Sequence, residues 1–140
     1  MILLDTNVVI DAREPRSPFH AGAEELIAAA IAGEGAAVNA IVLAELCVGQ
    51  GDTAAVETAL QFKGVDLVGL PVDASAICAR AFTRYRAARK ASGGGDAPLV
   101  PLPDFFIGAH AELMGWKVAT RDAERFRIYF PAVELLEPVI

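Results

Sequence analysis

The chain has 140 residues, 54% of them hydrophobic and 21% charged, with a net charge of −6. That size supports one domain with a real core, and the balance excludes a disordered chain. No apolar stretch reaches the roughly 18 residues of a membrane span, and no basic segment precedes the first apolar residues as a signal peptide requires. Cys47 and Cys78 fall in apolar helical stretches and are expected as buried, reduced thiols, which fits a cytoplasmic location.

In chain order, Ile2, Leu3 and Leu4 run without polar alternation, as in a strand buried on both faces, and stop at Asp5. A short helix over 6–11 ends in the turn region at Pro15 and Pro18, and a second helix covers 19–31 before Gly33 and Gly35. A strand over 36–39 precedes a helix over 41–50. Asp52 caps a helix to about Phe62, and a third strand spans 65–70. Asp73 caps a long helix through Lys90. Residues 92–103, with three consecutive glycines and three prolines, form a mobile loop. Asp104 opens a helix closed by Gly115, a fourth strand covers 117–120, a short helix ends near Phe126, and a last strand covers 133–136. Strands alternating with helices predict an α/β domain over 1–140, with a parallel sheet covered on both faces.

Four acids stand apart. Asp5 ends the first strand, Asp122 follows the fourth by two residues, and Asp104 opens the helix leading into that strand. Glu45 is the only charge in the apolar helix after strand two. Singly, each has an ordinary explanation, because Asp is a favoured helix cap and Glu belongs on surfaces. Together they differ, because strand ends on one edge of a doubly wound sheet converge on one crevice. At about 4 Å and an effective dielectric near 20, each carboxylate pair there costs about 4 kcal/mol. Such a group needs protons or cations among its oxygens. With no nearby Cys and no His at ligand spacing, Mg²⁺ or Mn²⁺ suits it better than zinc. Those ions with carboxylates serve phosphodiester cleavage.

The net charge of −6 opposes a nucleic-acid partner only if acids and bases are mixed. Arg80, Arg84, Arg86, Arg89 and Lys90 form a basic run that no acid interrupts. It is either an RNA-binding patch or a solvated helix face.

The motifs Leu4-Asp5-Thr6-Asn7, Ala44-Glu45-Leu46, Pro103-Asp104 through Ala109, and Thr120-Arg121-Asp122 followed by Phe126 occur in order. In these, from Ile2 to about Leu136, the chain resembles PIN-domain proteins, specifically the VapC-type toxin ribonucleases of toxin–antitoxin pairs. The resemblance implies a PIN-like three-layer sandwich around a mostly parallel sheet of four or five strands. It also implies a Mg²⁺- or Mn²⁺-dependent endoribonuclease acting on RNA, a cognate antitoxin partner and a homodimer. Position by position, Asp5, Glu45, Asp104 and Asp122 would form the catalytic, metal-holding quartet. Thr120 would hydrogen-bond within it, and Asn7 would be a polar helper. Gly108 and His110 depart from the small apolar residues commoner there; His110, six residues from Asp104, is expected to be structural.

Two rival functions fit the same fold class. A receiver-like phosphoacceptor needs an Asp at the end of strand three and a Lys after a later strand. Here Asp66 lies within strand three and no Lys follows strand four; a phosphatase forming an aspartyl-phosphate would want Asp where Asn7 stands. The other rival is a PIN-fold binding module without activity.

Overall fold

A computed structural model describes residues 1–95 and 98–140. Its five strands are β1 (Ile2–Leu4), β2 (Ala36–Asn39), β3 (Val65–Val68), β4 (Lys117–Ala119) and β5 (Leu135–Leu136), in the order β3-β2-β1-β4-β5. Every pairing is parallel; Leu3 stands opposite Ala37 on one side and Val118 on the other. All residues of β1 and β2 are buried, which requires cover on both faces of the sheet. The cover comes from α1 (Thr6–Arg13), α2 (His20–Ala32), α3 (Ala40–Cys47), α4 (Thr53–Lys63), α5 (Ala74–Ala91), α6 (Pro103–Met114) and α7 (Glu124–Tyr129). This is the α/β, PIN-like architecture expected from the sequence. Among the described residues, no helix is long and apolar enough to cross a membrane.

Local chemistry sets most element ends. The Asn39 side chain accepts from Val42 N and caps α3; that of Asp52 accepts from Ala55 N and caps α4. Pro103 begins α6, where its missing N–H costs nothing, and Gly115 ends it at φ 67°. Several boundaries fall short of expectation. β3 stops at Val68 and β4 at Ala119, β5 begins only at Leu135, and α3 ends at Cys47 ahead of the left-handed Gly49. The loop expected over 92–103 includes positions 96 and 97, which lie outside the described residues.

One expected cap, Asp73, is corrected, and the capping alternative for Asp104 and Asp122 does not hold. Asp73 precedes α5 without a side-chain cap bond; the turn is closed by the backbone bonds of Ala74 N to Pro71 O and Ser75 N to Val72 O. Asp104 is the second residue of α6, and Asp122 stands one residue before the cap position of α7. Neither helix start has a side-chain cap bond, so these two carboxylates are left for other partners.

The core beneath the site is aromatic. Phe105, Phe126 and Phe130 are fully buried, and Phe82 meets Phe105 edge-on at 5.2 Å between ring centroids. Gly108 is a packing requirement: a Cβ there would lie 2.3 Å from the Phe130 ring. His110 is buried against Trp116 and bonded to Asn39. Because Asn39 Oδ1 already accepts from Val42 N, Asn39 Nδ2 donates to His110 Nδ1. The imidazole is therefore neutral with its proton on Nε2, and burial lowers its pKa.

Candidate active site

The chain winds from β1 outward through β2 and β3, then returns to the other side of β1 as β4 and β5. The direction reverses between β1 and β4, so the crevice beyond their carboxyl ends is where a doubly wound sheet binds ligands. Asp5 and Thr120 flank this switch point. Asp5 N donates to Ala119 O at 2.9 Å, and Thr120 N to Leu136 O at 3.0 Å. A cavity of about 260 Å³ opens there, and Asp5, Glu45, Asp104 and Asp122 all line it. Thr6, Asn7 and Arg121 complete most of its polar wall.

Asp5 is the anchor, 5% exposed at the start of α1. Its Oδ1 accepts from Thr6 N at 2.8 Å, and its Oδ2 accepts from the Thr120 hydroxyl at 2.8 Å. Asn7 Nδ2 reaches Oδ2 at 3.4 Å, while Asn7 Oδ1 accepts from Arg121 N. Thr120 Oγ1 also accepts from Asp122 N at 3.1 Å, which fixes the backbone bearing the fourth acid. Glu45 comes from the exposed side of α3 and is held by the Thr6 hydroxyl at 2.8 Å. Asp104, half-buried, faces Arg125 at 3.1 Å, and the Arg125 guanidinium rests over Tyr85 and Phe105.

The electrostatics follow from this arrangement. Burial pushes the Asp5 pKa from 3.8 to about 6, with Asp104 and Glu45 adding to the rise against the Thr120 and Thr6 hydrogen bonds. Burial also raises that of Asp104, helped by Asp122 and Glu45 and opposed by Arg125. The acids therefore feel one another through the cavity.

The donor set is all oxygen and suits a hard divalent cation. Even so, among the described residues no three His, Cys, Asp or Glu side chains are gathered closely enough to hold an ion as they stand. Thr6, Thr120 and Arg125 each hydrogen-bond one of the acids, Glu45, Asp5 and Asp104 respectively.

The expected basic patch lies elsewhere. All five of its residues are on α5 and none lines the cavity. Arg84 donates to Tyr129 O, and Arg89 to Gly94 O and the Tyr85 hydroxyl, so two of the five serve the fold. Sequence reasoning missed Thr6, Arg121 and Arg125. Thr6 could have been found, because it follows Asp5 directly. The arginines could not, since their partners Asp11 and Asp104 lie far away in sequence.

A PIN domain profile matches residues 2–131. No curated protein matches the chain. Among solved structures, FitAcB from Neisseria gonorrhoeae is 25% identical, with 97% of this chain and 96% of that chain covered and a TM-score of 0.64. VapBC2 from Rickettsia felis, bound to a DNA fragment from its promoter, is 20% identical over 98% of both chains, with a TM-score of 0.62. Mycobacterium tuberculosis VapC20, a Sarcin-Ricin loop cleaving toxin, is 19% identical over 96% of this chain and 99% of that one, with a TM-score of 0.60. With a profile match over nearly its whole length and a fold shared with these structures, the chain belongs to the PIN domain family.

Proposed function

We propose that this protein is a Mg²⁺- or Mn²⁺-dependent endoribonuclease, the toxin of a toxin–antitoxin pair, acting through Asp5, Glu45, Asp104 and Asp122. The observation that supports the reading is that all four residues line one solvent-open cavity beside the β1–β4 switch point. VapC20 and the VapBC2 and FitAcB complexes support the toxin role and an antitoxin partner. The family resemblance implies a homodimer, and the reading of Cys47 and Cys78 as reduced thiols is the ground for a cytoplasmic location.

A divalent ion held by these carboxylates would supply an activated water and charge stabilisation for phosphodiester hydrolysis. The chain's own part is positioning. Thr120 and Thr6 N aim the two Asp5 oxygens, and Thr120 couples Asp5 to the Asp122 backbone. Thr6 turns Glu45 toward the same cavity, and Asn7 ties the start of α1 to the β4–α7 loop. With its pKa near 6, Asp5 is mostly ionised at neutral pH and ready to take a cation.

The test is RNA cleavage in Mn²⁺ by four single variants, Asp5→Asn, Glu45→Gln, Asp104→Asn and Asp122→Asn, with Asp66→Asn as control. Each site variant is expected to lose about a hundredfold or more in kcat, as when a transition-state charge stabiliser is removed. Wild-type rates in any folded member of the four would remove that residue from the site.

A further inference from the structure

Among the described residues lining the acidic cavity, Arg121 is the one cation. Its backbone is fixed by the bond from Arg121 N to Asn7 Oδ1 at 3.1 Å. Its Nε lies 2.8 Å from Asp11 Oδ2, and its guanidinium rests over the Phe19 ring at 5.0 Å. The Asp11 side chain is only 7% exposed, and Oδ2 has no hydrogen-bond partner, so the guanidinium is its compensation. The other carboxylate oxygen is occupied by the Ser17 hydroxyl.

Such a mounting does more than close α1 against the β4–α7 loop. Asp11 pairs with Nε and the Phe19 ring lies against the guanidinium, yet the side chain is still 42% exposed. A guanidinium has five donors in a planar fork, and its free edge matches two oxygens of one phosphate. Arg125, the nearby alternative, is committed to Asp104 and does not line the cavity. Four carboxylates repel a polyanion, so a strand that enters needs a fixed positive group beside them.

We propose that Arg121 is the phosphate-binding residue of this cavity, gripping the RNA backbone next to the phosphodiester to be cut. The proposal rests on the nuclease reading for its substrate class, and it is tested separately from cleavage. Replacing Arg121 alone would strand the buried Asp11 charge. The informative variant is therefore the double Asp11→Asn/Arg121→Gln, which removes both charges and keeps an acceptor for Ser17. The double variant leaves the net charge unchanged, and Lys63→Gln, just before β3 at the opposite end of the sheet's strands, controls for the loss of a cation away from the cavity.

Binding of a short fluorescein-labelled single-stranded RNA of mixed sequence is followed by anisotropy in Ca²⁺, which takes carboxylate oxygens, from about 50 to 300 mM KCl. The double variant is expected to bind about tenfold more weakly than wild type, the worth of one charge-assisted hydrogen bond. Its log–log salt slope should be shallower by about 0.7, the value for one single-strand phosphate contact. Lys63→Gln should keep the wild-type slope. A folded double variant with wild-type affinity and slope overturns the proposal, as does an equal effect from Lys63→Gln or no binding by wild type. If wild type binds with this Arg121-dependent slope yet does not cut the RNA in Mn²⁺, the nuclease reading fails and the phosphate grip stands.

Discussion

Asp5→Asn should make the metal-free protein more stable at neutral pH, although it alters the most buried acid of the site. The wild-type carboxyl is raised from 3.8 to about 6 by burial, and further by Asp104 and Glu45. At about 1.4 kcal/mol per pH unit, keeping it ionised in the fold costs about 3 kcal/mol. An amide removes that charge and keeps an oxygen for Thr6 N. It cannot accept from Thr120 at the second position, and losing that bond subtracts about 1 kcal/mol. The remaining gain of about 2 kcal/mol corresponds to a Tm higher by about 4–8 °C for a chain of this size. The pH dependence fixes the cause. A carboxyl whose pKa is raised by folding favours the fold below about pH 4 and loses that contribution as pH rises through about 6. The gap between variant and wild type should therefore be full at pH 8 and close by pH 4. Melts of both proteins in EDTA at the two pH values measure it. Saturating Mn²⁺ should narrow or reverse the gap, because wild type gains by mass action. A variant that melts at or below wild type at pH 8, or a gap that pH does not change, would refute the reasoning.

Three further outcomes are expected. Gly108→Ala should cost about 1–3 kcal/mol in denaturant unfolding, because its methyl would enter the Phe130 ring; a neutral effect would mean that ring is free to shift. His110 should stay neutral with its proton on Nε2 at pH 6.5 by nitrogen-detected NMR, since protonation at Nδ1 would break its bond from Asn39. Because burial lowers its pKa, its contribution to stability is complete above about pH 6.5 and is lost as pH falls below that; half-protonation at pH 6.5 would contradict this. Arg125→Gln should change stability by less than about 1 kcal/mol, since the pair is partly exposed, yet tighten Mn²⁺ binding in calorimetry by freeing Asp104. Weaker Mn²⁺ binding would show that Arg125 orients Asp104 and does not compete for it.

Much of the fold was legible because its signals are local. The unalternating run Ile2-Leu3-Leu4, stopping at Asp5, reads as a strand covered on both faces, and glycines or caps marked most helix ends. That Asp5 and Asp122 line one cavity was legible from topology, since residues that end or follow neighbouring parallel strands share an edge; Glu45 and Asp104 reach the same cavity from helices α3 and α6. What one sequence leaves ambiguous is whether an Asp at a helix start caps the backbone. Asp52 does, whereas Asp104, placed after Pro103, sits two positions past the cap position of α6 and turns to Arg125. The arginines were hidden for a different reason. Arg121 finds Asp11 and Phe19, and Arg125 finds Asp104 and Tyr85, only after folding brings distant segments together. The basic run on α5 shows the converse: five charges adjacent in sequence were visible at once, yet two of them are spent on Tyr129, Gly94 and Tyr85.

The central claim is metal-dependent RNA cleavage at the four-carboxylate cavity, and one measurement tests it most directly. The purified protein is incubated with a mixed RNA pool in EDTA, then with Mg²⁺ or Mn²⁺ restored, and the cut ends are mapped. Cleavage is expected only with metal, at internal phosphodiesters, and is expected to disappear in Asp5→Asn. Cleavage that survives EDTA, or that Asp5→Asn performs at the wild-type rate, would contradict the claim.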